Sequence, residues 1–190
     1  MILLFIGVVL AAQVVPLAIP TTVVPPRRPV DPASVFLVDF GRTPSLVLTV
    51  GENEIVAYVY GDWKYYALRQ QGAFESIAAL LWPTQGALGR KEIAGPPTAE
   101  TVRAALGSEI QHVYEFEVEQ RALGRLEAKL ERLYHDQLST ATQSYGMTFV
   151  RHADSYTYWS NSNHMTAAWL QELGCEIRGP AFSSVWRVRR

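Results

Sequence analysis

Hydrophobic positions are distributed unevenly along the chain, and the extreme lies at its start. Met1–Ile19 (MILLFIGVVLAAQVVPLAI) contains one polar side chain, Gln13, and the first charge is Arg27. About 20 apolar residues suffice to cross a bilayer as a helix. Two readings follow. As a cleaved signal peptide, the apolar region is Ile2–Leu10 and the small residues Ala11 and Ala12 form the cleavage region, without the usual positive start. As a retained anchor, an N-terminal apolar helix runs to about Ile19; the positive-inside rule alone would put Arg27 and Arg28 beyond it in the cytoplasm, but two charges at this distance do not set the topology. Either way the expectation is an exported domain of the cell envelope, with residues 1–19 as signal peptide or membrane anchor.

Proline dominates the next stretch. Six of the 11 prolines lie between Pro16 and Pro32. Each fixes φ and removes a backbone donor, so residues 20–33 are expected as an extended, semi-rigid linker, with one folded domain over 34–190.

Within that domain the pattern changes from period two to period 3.6. Ser34–Asp39, Leu46–Val50 and Glu54–Tyr60 are apolar, branched runs separated by turn residues such as Gly51–Asn53, and they predict strands. Ala73–Leu81 predicts a short helix ending before Pro83. Gly86–Gly95 reads as a loop with one short strand. Thr98 suits the N-cap of a helix reaching Leu106. Gln111–Glu119 alternates, with Glu115, Glu117 and Glu119 on one solvated face. Over Gln120–Leu138, the leucines at 123, 126, 130, 133 and 138 form an amphipathic stripe. Asn161–Leu173 predicts another helix, with Met165, Trp169, Leu170 and Leu173 inward and Gly174 as its stop. Tyr145–Arg151 and Ser184–Val188 complete the strands. The order predicts an α+β fold: a small antiparallel sheet packed by two main helices.

Composition narrows the function. Lys+Arg is 17 and Asp+Glu 18, a formal net charge of −1, so binding to nucleic acid by phosphate neutralisation is not expected. Hydrophobic residues at 48% argue against a disordered chain. A single cysteine excludes an internal disulfide and any multi-cysteine metal site. His112, His135 and His152 are scattered without ligand spacing, so neither a metal nor another cofactor is expected.

Few residues carry candidate chemistry. Trp159–His164 (WSNSNH) sits where the last helix begins. Ser162 there gains from the helix dipole and free backbone N–H groups, and His164 falls in the first turn. Ser160, Asn161, Ser162 or Asn163 serves equally as a simple cap, the commoner use of such residues. Tyr58, Tyr60, Trp63, Tyr65 and Tyr66 flank Gly61–Asp62, as pocket lining or as plain packing. Cys175, just after the helix stop, reads as a small buried apolar residue.

Four segments in order resemble the bacterial family of exported proteins called domain of unknown function 2459. They are Val38–Leu48 (VDFGRTPSLVL), Tyr58–Trp63 (YVYGDW), Leu81–Thr84 (LWPT) and Asn161–Ala167 (NSNHMTA). The resemblance covers about residues 34–190. It implies a permuted relative of papain-like amidases, the group that includes NlpC-type cell-wall peptidases, in which a cysteine at a helix start is activated by a histidine on a neighbouring strand. The nucleophile position falls on Ser162, and the two histidine positions fall on Phe40 and Thr43. Both catalytic residue types are therefore replaced. A serine hydroxyl needs a base within hydrogen-bond reach, and neither Phe40 nor Thr43 can serve. The implied function is a catalytically degenerate fold acting as a binding or interaction module. Tyr60, Asp62, Trp63, Asn161 and Asn163 are its groove-lining candidates, and its partners are the membrane and an unidentified ligand or protein. The alternative is a hydrolase or acyl-transfer enzyme using Ser162 with a relocated histidine such as His164 or His152.

Overall fold

The computed structural model describes residues 19–70, 82–157, 159–181 and 184–189. The expected N-terminal apolar helix lies outside these residues except for Ile19, as does the helix expected over 73–81. Among the described residues, no helix is long and apolar enough to cross a membrane.

The chain is α+β, but its sheet is large rather than small. Strands β2 (Pro32–Asp39), β3 (Pro44–Gly51), β4 (Glu54–Asp62), β5 (Thr84–Ala94), β6 (His112–Glu119), β7 (Thr142–Ser144) and β8 (Met147–Tyr156) form a seven-stranded antiparallel sheet in the order β6-β2-β3-β4-β5-β8-β7. The main underestimate was β5. Gly86 and Gly89 break its hydrophobic run, yet neighbours crowd both. A Cβ on Gly89 would lie 2.6 Å from both Phe149 Cε1 and Val59 Cγ1. Glycine here marks close packing inside a strand, not a loop. Tyr145, expected to open a strand, instead forms the two-residue turn between β7 and β8 with Gly146. Their φ values of 51° and 67° are those a tight hairpin requires.

Both faces of the sheet are covered. Helices α2 (Gln120–His135) and α3 (Ser162–Glu172) pack on one face, and α1 (Ala99–Leu106) covers part of the other. Val35 and Leu37 face α2 and α3, whereas Phe36 and Val38 face the α1 side. Two covered faces explain why β2 reads as an unbroken apolar run instead of alternating. Thr98 caps α1 as expected, accepting from the Thr101 N–H at 3.2 Å. Leu123, Leu126 and Leu130 form the inner stripe of α2, but Leu138 stands 44% exposed because the helix has ended at His135. A half-buried ionic group fastens α2 to the sheet. Arg90 Nε of β5 lies 2.6 Å from Glu131 Oε1, and Tyr58 donates its hydroxyl to the same oxygen. Helix α3 closes as Gly174 predicted: the N–H groups of Gly174 and Cys175 bond the carbonyls of Gln171 and Leu170 at 2.9 and 3.0 Å. Cys175 is buried, and burial pushes its thiol up to about 12.

A second sheet departs from the expected linker. Strand β1 (Thr21–Val24) lies between β9 (Glu176–Arg178) and β10 (Trp186–Val188), antiparallel to the first and parallel to the second. Thr21 and Val23 are fully buried. The extended backbone expected from the prolines is present, and over Thr21–Val24 it is paired as a strand.

Candidate functional site

One end of the large sheet gathers most of the predicted residues. Here β4 and β8 finish, β5 begins and α3 starts. The pairing of β5 with β8 is interrupted there: Gln85 faces Ser155 but Ala87 faces Arg151, so His152–Asp154 bulge opposite Gly86. The bulge is closed from within. His152 Nδ1 accepts the Asp154 N–H at 3.0 Å, and Gln85 Nε2 donates to the His152 carbonyl at 2.6 Å. The buried His152 ring stands edge-on to Tyr60, 5.1 Å between centroids, and Tyr60 lies 5.9 Å from Tyr156. Bulges of this kind redirect a side chain out of the regular pleat.

Ser162 begins α3, but the cap is Asn161. Its Oδ1 accepts the N–H groups of Asn163 and His164 at 2.9 and 3.2 Å and lies 3.2 Å from His164 Nδ1. Ser162 is 3% exposed. It lies beside the Tyr156 phenol, and its hydroxyl and backbone N–H act to lower that phenol against the effect of burial. Burial, reinforced by the nearby Asp62 carboxylate, pushes that phenol up to about 12. At neutral pH Tyr156 is thus uncharged and a poor base, far from the range that suits proton abstraction.

The remaining candidates divide between the two sides of the sheet. Phe40 packs on the α1 side, away from α3, together with Val38 and Val47. Thr43 shares a hydrogen bond with the Tyr66 hydroxyl. Tyr60 is fully buried on the α3 side, whereas Trp63 is buried with Val59 and Phe149 on the other. Asp62 is 6% exposed and its carboxylate is fully engaged. Oδ1 caps the π-helical turn Trp63–Ala67 by accepting the Tyr65 N–H at 2.7 Å, and Oδ2 accepts the Thr84 hydroxyl. Asn163 Oδ1 accepts Trp186 Nε1 at 3.1 Å. These groups form a buried polar lattice. Two shallow surface hollows lie elsewhere, one against α1 and one along the outer face of α2. Among the described residues, no three His, Cys, Asp or Glu side chains group as a metal site.

The sequence reading missed Tyr156, Thr84, Gln85 and Trp186 as members of this lattice. Thr84 and Tyr156 meet as a cross-strand pair, and Trp186 arrives from the far C-terminal strand. The Leu-Trp-Pro-Thr segment was the one available signal, and it pointed at Thr84. Comparison with protein-family models, curated proteins and solved structures finds no match for this chain.

The histidines make stability depend on pH. Burial holds His152 below the ordinary imidazole range, against the opposing pull of the Asp154 carboxylate, and burial also lowers His164. The unfolded chain therefore binds protons first on acidification. This contribution is complete above the ordinary histidine range and is lost as pH falls through it. The melting temperature is expected to fall between about pH 7.5 and 5. His152→Asn, which keeps an acceptor for the Asp154 N–H but does not titrate, should flatten that fall. An unchanged acid limb in His152→Asn would show that His152 does not drive it.

Proposed function

We propose that this chain is a binding or interaction module held at the membrane of the cell envelope by its N-terminal segment. It is built on a catalytically degenerate relative of the papain-like amidase fold. One observation carries the reading. Ser162, the residue matched to the family's nucleophile, is buried beside an uncharged phenol. Support for the family relation is that Ser162 opens a helix laid on an antiparallel sheet, the setting the resemblance implies. The residues at the matched base positions, Phe40 and Thr43, are engaged in packing and in a hydrogen bond to Tyr66.

A serine-directed fluorophosphonate probe tests this on the full chain. The expected outcome is labelling no greater than that of Ser162→Ala, and no amidase or esterase turnover. Labelling that disappears in Ser162→Ala would favour the alternative, a hydrolase or acyl-transfer enzyme with a relocated histidine. The substitution itself removes one buried hydroxyl and should cost about 1 kcal/mol of stability.

A further inference from the structure

Helix α2 turns toward solvent a face of one sign of charge. Arg121, Arg125, Lys129 and Arg132 are all exposed. At 3.6 residues per turn they fall within about 80° of arc, away from the inner stripe of Leu123, Leu126 and Leu130. Lys129 reaches Glu172, at the opposite end of α3 from Ser162, at 2.8 Å. Among the described residues, Arg121, Arg125 and Arg132 enter no ion pair. The carboxylates of α2 lie on another flank, where Glu131 is held by Arg90, Tyr58 and His135. Four cations and two carboxylates give the helix 4 − 2 = +2 with histidine neutral, in a chain whose net charge is −1.

This face weakens the helix in two ways. A solvated helix gains from opposite charges at i, i+4 and loses from like charges at the same spacing. Arg121, Arg125 and Lys129 stack like charges at i, i+4 and i+8. Beside them, inside the helix, stands Gly124, the poorest helix former after proline. Packing does not demand glycine there, because an added Cβ would meet nothing within 4 Å. Gly124 and Ala128 instead floor a shallow hollow walled by the four cationic side chains. Breaches of local helix rules without a gain in packing are expected where a surface is used. The hollow runs from Arg121 to Arg132, about 16.5 Å at 1.5 Å per residue. From Arg121 to Lys129 its cations recur about every 6 Å, the spacing of carboxylates at i, i+4 and i+8 on a second α-helix. Small side chains on the floor let the axes of two packed helices come close. A lipid surface would meet the tips of the cations and make no use of a hollow, so the shape favours a rod over a plane.

We infer that the outer face of α2 docks an acidic α-helix of a partner protein, seated over Gly124 and Ala128 with its carboxylates among Arg121, Arg125, Lys129 and Arg132. Three of these four cations are arginines, whose planar forks bind carboxylates through two parallel hydrogen bonds. Among the described helices only α2 carries carboxylates one turn apart, and its Glu131 is already held, so a second copy of this chain does not supply the acidic ladder. The surface is separate from the lattice around Ser162 and does not depend on the family relation.

The test adds the full chain to a fluorescently labelled, stapled alanine–glutamine helix with glutamates at i, i+4 and i+8, and follows anisotropy. A control peptide has the same composition with its glutamates spread around the helix. The first peptide is expected to bind at least about fivefold tighter than the control. Binding should weaken from about 0.1 M to about 1 M salt, as the screening length falls from about 10 to about 3 Å. Arg121→Gln/Arg125→Gln should weaken it by about fivefold to tenfold. Gly124→Leu fills the hollow with a better helix former, so it should raise the melting temperature yet abolish the preference for the first peptide. Circular dichroism checks that each variant keeps its fold. Equal binding of the two peptides, or binding of neither, would overturn the docking of an acidic helix. Binding that survives Arg121→Gln/Arg125→Gln would overturn the role of the stripe, and a preference unchanged in Gly124→Leu would overturn the seating in the hollow. A preference for phosphatidylglycerol over phosphatidylcholine vesicles that is lost in the arginine variant but kept in Gly124→Leu would overturn the helix in favour of a lipid surface.

Discussion

Trp186→Ala is expected to lower the unfolding free energy by about 3–5 kcal/mol, the range for truncating a buried aromatic residue. Trp186 is 2% exposed and joins three parts of the molecule. Its ring belongs to the core between the large sheet and α3, its Nε1 donates to Asn163 Oδ1 at 3.1 Å, and its carbonyl accepts the Tyr114 hydroxyl at 2.9 Å. Alanine leaves a cavity and also orphans the oxygen of Asn163, itself 5% exposed. Trp186→Phe separates the two effects. It keeps most of the volume and loses the hydrogen bond, so it should cost about 1–2 kcal/mol. Urea unfolding of both variants provides the comparison. A cost for the alanine variant below that of the phenylalanine variant would mean that the small sheet does not depend on this ring. Proteolysis near Thr21–Val24 should also quicken in Trp186→Ala, because β10 is one of the two partners of β1.

Gly86→Ala is expected to cost about 3 kcal/mol, at the upper end of overpacking effects. A Cβ at this position would lie 2.4 Å from the Asp154 carbonyl oxygen and 2.7 Å from the Tyr60 hydroxyl. Neither can move easily. The carbonyl belongs to the bulge that His152 and Gln85 hold closed, and Tyr60 is fully buried. The substitution also enters the gap across which Tyr60 donates to Asp154 at 3.3 Å. Gly124 serves as the control. It lies inside α2, and an added Cβ there meets nothing within 4 Å. Gly124→Ala should stabilise by about 0.5–1 kcal/mol through helix propensity alone. Thermal melts of the two variants should therefore move in opposite directions. A neutral Gly86→Ala would show that the bulge can rearrange.

Much of the regular structure was legible because it depends on near neighbours. Leu123, Leu126 and Leu130 repeat at the helical period and line the inner face of α2. Thr98 and Gly174 bound their helices through contacts within five residues. The glutamates at 115 and 117 alternate with buried Phe116 and Val118, as an outward strand face requires. Strand β5 was hidden because its glycines answer to Phe149, Val59, Asp154 and Tyr60, residues distant in sequence. Strand β1 was hidden because prolines around Thr21–Val24 speak for extended backbone but not for a pairing partner, and the partners lie more than 150 residues away.

The candidate site divides in the same manner. The residues of Trp159–His164 by themselves placed a helix start and its cap, since an Asx side chain meets backbone N–H groups two and three positions ahead. They could not say what the Ser162 hydroxyl meets. That was decided by β8, which bulges opposite Gly86 and carries Tyr156 to the start of α3. Nor could the run Val38–Leu48 say that Phe40 turns to the α1 side, because the side of a sheet reverses with every residue and is settled only when strands pair. Periodicity, caps and turns are short-range and were written in the chain. Which hydroxyl, ring or carboxylate shares a buried space with Ser162 depends on strand register and on the choice of sheet face, so only the tertiary structure determined it.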